Sequence, residues 1–468
     1  MKLTVSKISH YQTIVQFLTK EDLRSQKVPD FEAGKKDLTV RYDGKKAIIY
    51  CGLGSREALT SAVIRSAAAA GIRKALSKKR SEVSIAVPAA FRRFPAADAW
   101  VPALEGAVLG SYSFVKYKKE KGTTLSALEL CGEHISQHDA GRVLSVCDCV
   151  NYSRDLVNEN AHIAHPEFCV QEAHALVKTG GMSITVLSEK DLEKKGLRLL
   201  SAVGQGSPFP PRLAIIEYRG NPSSKDTTAI VGKGITFDSG GQNLKPTGHI
   251  ETMRQDMAGA AAVLGVMKAI AGLKPKINVV GVCPFAHNAI GERAFFPGDV
   301  YTAYNGTTVE IESTDAEGRL ILADAVAYCK DTCRPSRIID LATLTGGILV
   351  SLGTVAAGLF SNDDDLARRL FAAGEETNER LWRFPLYEEY ADSIKSDIAD
   401  LRNVSSFKKG WAGSITGAAF IGAFADKTPW AHLDIAGTAF NEESAKGELP
   451  QFATGFGVRL LLKFLGVE

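Results

Sequence analysis

The chain has 468 residues, 45% hydrophobic and 23% charged, a balance that excludes a disordered, collagen-like or coiled-coil chain and suits a globular protein of two or three domains. Its 56 basic and 53 acidic residues leave a net charge of +3, which argues against a dedicated nucleic-acid binder. No stretch reaches the roughly 18 uncharged apolar residues of a membrane span, and the first residues alternate polar and apolar, unlike a secretory signal.

The eight cysteines (51, 131, 147, 149, 169, 283, 329 and 333) form no CxxC pair and lie mostly in apolar segments. Buried, reduced thiols in a cytoplasmic protein are the expectation. Basic runs at 78–80 and 116–119 read as solvated faces.

In chain order, Lys46–Cys51 is a short apolar run between Gly44 and Gly52, and reads as a buried strand. Over Thr60–Lys79, Val63, Ile64, Ala67, Ala68, Ile72 and Leu76 recur at helical spacing. Ser81–Val87 follows as a second strand. A helix is expected from about His138 to Val157, ended by Asn158-Glu159-Asn160 and Pro166. Beyond it, strands at 214–218, 228–231, 278–282, 337–341 and 432–435 alternate with helices such as Met257–Ala271 and Leu320–Lys330. That alternation predicts an α/β fold with a mostly parallel central sheet. The expected organisation is a small N-terminal α/β domain over 1–137, a linker helix and connection over 138–165, and a larger C-terminal α/β domain over 166–468.

Familiar signatures fail on inspection. A P-loop ending at Gly232-Lys233 would need glycine where Thr227 stands, and Phe209 replaces the third glycine of a dinucleotide fingerprint. Phe237 breaks any nucleophile elbow at Ser239. His134 and His138 stand four apart, a spacing that lets a helix present both to one metal, but no third ligand accompanies them.

Two glycine-flanked charged clusters remain: VGKGITFDSGGQNLKP at 231–246 with TMRQDMAG at 252–259, and STDAEGRLILADA at 313–325. Lys233 lies just past a strand's carboxyl end, where open parallel sheets place ligands. Taken singly, Asp256 reads as a helix N-cap, Asp238 as an Asx turn, and Glu317–Arg319 as a surface ion pair. In an extended segment, Asp315, Glu317 and Arg319 share a face. Together, four carboxylates repel unless cations balance them, and two divalent ions do so. Carboxylate oxygens suit Mg, Mn and Zn. Such a pair can bridge and deprotonate a water and polarise a carbonyl.

VGKGITFDSGG, the following Lys245 and Asp256, TDAEGRL and DLATLTGG resemble the signatures of the leucine aminopeptidase (cytosol aminopeptidase) family, M17-type dinuclear metallo-exopeptidases. The similarity runs from about Arg154 to the WAHLDIAG segment ending at Gly437 and beyond, whereas the first domain resembles the family only in length and α/β pattern. The resemblance implies that Asp238 and Glu317 bridge two metals (Mn or Zn, with Mg a third option). Asp315 would hold the more exchangeable ion, and Lys233 and Asp256 would complete the tighter site. Lys245 would stabilise the oxyanion, and Arg319 would hold a bicarbonate acting as general base. Met253, Thr343, Gly346, Ala436 and Ala439 match positions that shape the first specificity pocket. It further implies peptide substrates with a free N-terminus, Leu or another apolar residue first, and a cytoplasmic homohexamer.

The sequence departs from the family pattern at Ser313, where asparagine is usual, at His287, where glutamate is expected, and at Asn160, where proline often stands. A narrow-specificity dipeptidase or amidase of the same chemistry is the alternative reading. A DNA-binding regulatory role besides catalysis is another, since some relatives bind DNA, although the charge weighs against nucleic acid as the main partner.

Overall fold

A computed structural model describes residues 1–87, 100–133, 135–408 and 410–467. Its contacts divide the chain into two compact units, Met1–Asn151 with Asn441–Phe452, and Tyr152–Phe440 with Ala453–Val467. His134 lies outside the described residues, and His138 is an exposed side chain beside Asp139.

In the first unit, six strands form one sheet: β1 Lys2–Ser6, β2 Thr13–Leu18, β3 Leu38–Asp43, β4 Lys46–Gly52, β5 Glu82–Ala86 and β6 Ala127–Cys131. Their order is β1-β6-β5-β2-β4-β3, parallel except for the β3–β4 hairpin at one edge. Helices α1 Ser61–Ser77 and α2 Trp100–Gly110 pack against each other. Gly106 is what lets them meet, because a Cβ there would lie 2.1 Å from the Arg65 carbonyl oxygen. Helix α3, Gln137–Asn158, spans the segment expected as the linker helix.

The second unit is built on strands β7 Met182–Leu187, β8 Arg212–Arg219, β9 Thr228–Gly232, β10 Gly234–Asp238, β11 Asn278–Asn288, β12 Val300–Thr302, β13 Thr308–Glu310, β14 Arg337–Ala342, β15 Ala357–Ser361, β16 Leu381–Arg383, β17 Leu401–Arg402 and β18 Trp430–Asp434. The large sheet runs β16-β15-β18-β14-β9-β11-β8-β7, with β10 added beside β11. Its centre, β18-β14-β9-β11, is parallel throughout, and antiparallel pairs occur only toward the flanks. The expected mostly parallel α/β sheet is what the chain forms. Strands β12, β13 and β17 make a separate small sheet.

Helices cover both faces: α4 Pro166–Gly180, α5 Glu189–Lys195, α6 Arg198–Gly204, α7 Ala258–Leu273, α8 Glu317–Cys333, α9 Gly346–Leu352, α10 Asp364–Thr377, α11 Glu388–Asp392, α12 Gly413–Ala425 and α13 Val458–Phe464. Strand alternation sorts them. Ala229, Val231, Val280 and Val282 join the core cluster formed with α6, α8 and α12, while Gly281, on the opposite face, abuts Val263 and Met267 of α7. The stretch Met253–Leu273 is long and apolar enough to cross a membrane, but 83% of its most apolar window is buried inside the protein. It is a core helix, apolar on all sides because neighbours surround it. Seven of the eight cysteines are buried.

One buried carboxylate ties the second core together. Asp324 of α8 is fully buried and accepts from the backbone N–H of Leu199 at 2.8 Å, Leu200 at 3.0 Å and Tyr304 at 2.8 Å. It thereby caps the first turn of α6 from a neighbouring helix. Burial pushes its pKa up to about 7, against the pull of those three donors. Asp324→Ala would orphan three N–H groups, two of them buried and one partly so. The expected loss is about 3 kcal/mol of stability, read as a lower denaturant midpoint with an unchanged slope.

Candidate metal centre

The parallel strands end at one place, and the charged residues follow them. Lys233 comes just after β9, Asp238 closes β10, and Thr343 follows β14. Asp256 lies in a short 3-10 helix, Met253–Met257, leading into α7. Asp315 precedes α8, and Glu317 is the first residue of that helix. Glu317 and Arg319 therefore meet the site from a helical first turn, not from the extended segment their spacing suggests. A carboxylate suits that position, where the helix dipole is positive.

Lys233 Nζ lies 2.7 Å from both carboxylate oxygens of Asp256, with hydrogen-bond geometry to Oδ1 alone, and 2.9 Å from Glu317 Oε1. It also donates to the Thr343 carbonyl at 2.9 Å. Lys245 Nζ lies 2.8 Å from Asp238 Oδ2 and 2.5 Å from Asp315 Oδ1. Asp238, Asp315 and Glu317 each offer an oxygen, and those oxygens lie within 4.8 Å of one another. This is the one such group among the described residues. Gly318 makes the approach possible, because a Cβ there would sit 2.5 Å from Lys233 Cε.

The simpler readings are partly present. Asp238 Oδ1 accepts from Gly240 N–H at 2.9 Å, an Asx turn, and Gly240 has φ +85°. Asp256 caps nothing. The N-cap of α7 is Met257, with no side-chain bond, and the Asp256 carboxylate takes Lys233 and the Thr343 hydroxyl, the latter at 2.7 Å. Glu317 and Arg319 form no ion pair among the described residues. Arg319 donates instead from Nη1 to the Asn403 carbonyl at 2.8 Å.

The electrostatics are unbalanced. Burial raises the Asp238 and Asp256 pKa values, and Glu317 adds to both shifts. Burial and Glu317 also raise Asp315. Burial would raise Glu317 too, but Lys233 and Lys245 outweigh it and hold that carboxyl low. Burial would lower both lysines, yet the surrounding carboxylates win and keep each above the ordinary lysine value. Asp256 Oδ2, Glu317 Oε2 and Asn288 Oδ1 are buried with no hydrogen-bond partner among the described residues. Four carboxylates with spare buried oxygens form a donor set that fits hard or borderline divalent ions, which Lys233 could join only as the neutral amine.

Several contributors carry no recognisable spacing. Asn288 ends β11, opposite Asp238 in register, and donates from Nδ2 to Asp238 Oδ1 at 2.8 Å and to the Thr314 carbonyl at 3.0 Å. Asp434, closing β18, accepts from Leu344 N–H at 3.1 Å, Ala436 N–H at 3.2 Å and the Thr345 hydroxyl at 2.6 Å. It thus braces the loop that carries Thr343. The strand-end rule that singles out Lys233 would have found both. Of the remaining pocket candidates, Met253 begins the 3-10 helix, Gly346 opens α9, and Ala436 and Ala439 follow β18.

Two of the three departures adjoin residues of the centre, Ser313 beside Asp315 and His287 next in the chain to Asn288. Ser313 Oγ accepts from the Asp315 N–H at 3.3 Å. His287 packs between Phe209 and Phe237, and burial lowers its pKa to about 4. The side chain of Asn160 accepts from His162 N–H at 3.0 Å.

A carboxylate cluster at the carboxyl ends of parallel strands lies where α/β enzymes place their ligands and offers donors that suit divalent cations. Comparison with known proteins agrees. The catalytic-domain profile of the cytosol aminopeptidase family matches residues 151–462, and the profile of that family's N-terminal domain matches residues 31–121. A probable cytosol aminopeptidase of Protochlamydia amoebophila is 44% identical over 427 residues, 88% of this chain and 84% of its own. Among solved structures, the bottromycin maturation enzyme BotP in complex with Mn superposes with TM-score 0.87 at 32% identity, covering 98% of this chain and 100% of its own. A mutant of tomato leucine aminopeptidase gives 0.89 at 31% identity, covering 99% and 96%. The chain belongs to the cytosol aminopeptidase family, whose members are hydrolases of the aminopeptidase class. Its likeness reaches into the first domain, where no motif announces it.

Metal binding is the direct test of the donor set. Calorimetric titration of the chelator-stripped chain with Mn²⁺ should saturate at two ions. Asp256→Asn should weaken one of them, and a wild-type titration showing no uptake would remove the metal reading altogether.

Proposed function

We propose that this chain is a dinuclear-metal aminopeptidase that releases an apolar N-terminal residue, Leu foremost, from peptides. The observation that carries the reading is the buried excess of carboxylate at the sheet's edge, in a chain of this family. Lys233, Asp238, Asp256 and Glu317 are each at most 4% exposed, whereas the Asp315 side chain is 36% exposed. That gradient supports a tighter ion among the buried four and a more exchangeable one held by Asp315. Asp238 and Glu317 would be shared. When bound, the two ions supply Lewis acidity toward the scissile carbonyl, an acidified water and a ligand position for a free amine.

The chain's own groups do the rest. Lys245, on the more open side with its side chain 16% exposed, is poised to donate to the oxyanion as charge develops there. Arg319, with Nε buried and unpartnered among the described residues, would hold a small anion such as bicarbonate as general base. Thr343 and Asp256 keep Lys233 in place. Met253, Thr343, Gly346, Ala436 and Ala439 would line the first pocket, and the two alanines leave room for a large apolar side chain.

Manganese is favoured by the likeness to a Mn-bound relative, with zinc and then magnesium as the other choices. The reading also comprises a homohexamer in the cytoplasm, without a membrane and without nucleic acid as its main partner, and the division at 1–137, 138–165 and 166–468. A narrower dipeptidase or amidase is the second reading, favoured by the likeness to BotP, an enzyme of bottromycin maturation.

Lys233→Ala should lower metal occupancy, whereas Lys245→Ala should keep both ions and reduce kcat, because an oxyanion donor acts in the transition state. Equal metal loss in both variants would contradict these roles. A free amino terminus should be required as well. The α-amine titrates near pH 8, so it is easily neutral and able to coordinate, while an N-acetyl amide is a poor and bulky ligand. Comparable kcat/KM for a leucyl peptide and its N-acetyl form would sink the exopeptidase reading. For assembly, light scattering should give six times the chain mass, and a monomer at working concentration would exclude the hexamer.

A further inference from the structure

Asn403 belongs to no motif, yet it touches both halves of the second charged cluster. It follows β17, which pairs with β13, and its own N–H donates to the Glu310 carbonyl at 3.0 Å. The side chain is fully buried, and its amide is spent on one segment. Oδ1 accepts from Glu312 N–H at 2.8 Å and Ser313 N–H at 3.2 Å. Nδ2 donates to the Ser313 carbonyl at 2.6 Å and, at 3.4 Å, to that of Ala316. Its backbone carbonyl accepts from Arg319 Nη1.

Two donors and two acceptors are what a primary amide offers, and no other side chain of this size offers them. Aspartate would lose both donors, face two carbonyl oxygens and add a fifth negative charge beside four. The bonds to Ser313 and Ala316 close on either side of Thr314 and Asp315, fixing where the Asp315 carboxylate stands. The same residue fixes Arg319 from its carbonyl. One buried residue thus contacts both the turn that carries the exposed carboxylate, through its side-chain amide, and the arginine, through its backbone carbonyl.

We infer that Asn403 is a positioning residue of the reaction: it holds Asp315 and Arg319 in register with the buried carboxylates, and so governs affinity for the more exposed metal ion. This rests on the dinuclear reading above. A merely structural asparagine, tying β17 to β13, would lower the melting temperature and weaken both ions alike. A positioning one acts on a single ion.

The test is Mn²⁺ titration of the full-length wild type, Asn403→Asp and Asn403→Ala, with kinetics on a leucyl peptide. The weaker ion should lose about 10- to 100-fold in affinity in both variants, as for other residues that orient ligands, while the tighter ion is unchanged. At limiting Mn²⁺, kcat should fall by a similar factor with KM within about twofold, and excess Mn²⁺ should restore much of it. Wild-type affinities for both ions in the variants, or equal weakening of both, would overturn the inference. Should the variants not fold, hydrogen exchange in the wild type decides. The amides of Glu312 and Ser313 should be protected with and without Mn²⁺, and free exchange without it would show that the amide clamp does not position the segment. A wild type that binds only one ion would instead defeat the dinuclear reading, with those amides still protected.

Discussion

The mutual repulsion of four carboxylates governs this structure. Three of them offer oxygens within 4.8 Å of one another, and two unit charges at about 4 Å repel by about 4 kcal/mol at an effective dielectric of 20. Three such pairs amount to roughly 12 kcal/mol, comparable with the whole stability of an ordinary domain. The positive end of α8 offsets only about 1 kcal/mol of this. Two lysines do more, but they leave the cluster two charges short of neutral. The fold tolerates the cluster because the lysines supply opposing charge in place and because divalent ions can add to it.

Holding those charges together places demands on the backbone around them. The central strands must end side by side, so that Lys233, Asp238 and Thr343 emerge at one edge. Helix α7 must come close to β9, and it does so glycine to glycine: a Cβ on Gly232 would lie 2.4 Å from the Gly259 carbonyl oxygen. Gly318 plays the same part between α8 and Lys233. The glycines that punctuate the charged clusters are thus mainly clearances for close approach. Where side chains brace the site they do so by neutral amides, as at Asn288 and Asn403, or by a carboxylate taken up by N–H and hydroxyl donors, as at Asp434. These add order without worsening the repulsion.

This explains how far the sequence could be read. Strands such as Lys46–Cys51 and Thr228–Val231 announce themselves because continuous apolar runs are what a doubly covered sheet requires, and the structure forms both within a residue or so. The charged residues of the centre are legible because burying like charges has no structural motive, and the family motifs reinforce the same positions. The geometry of TDAEGRL is less legible. Period-two reasoning treats 315–319 as extended, whereas α8 begins at Glu317, three residues before its apolar pattern does. The first turn of a helix carries polar groups that hydrophobic periodicity does not register. Asn288 and Asp434 could have been reached only by asking what stands at the other strand ends, whereas Asn403 is invisible for another reason. It acts through backbone groups about 90 residues away in sequence, and no local spacing records such a contact.

Exposure divides the centre into two halves of different character. Lys233, Asp256 and Glu317 are sealed by α7, α8 and the loop after β14, elements of the core whose packing leaves them few alternatives. Asp315 and Lys245 are carried by loops, and loops hold a precise geometry only when hydrogen bonds substitute for packing. Thr314 and Asn243 supply one such set, with Thr314 N–H donating to Asn243 Oδ1 at 2.8 Å and Asn243 N–H to Thr314 Oγ1 at 2.8 Å. Asn403 supplies the other, from the far side of the same turn. The buried half is therefore fixed by the fold and the open half by a few amides. Substitutions among those amides are where the chemistry can change while the fold does not.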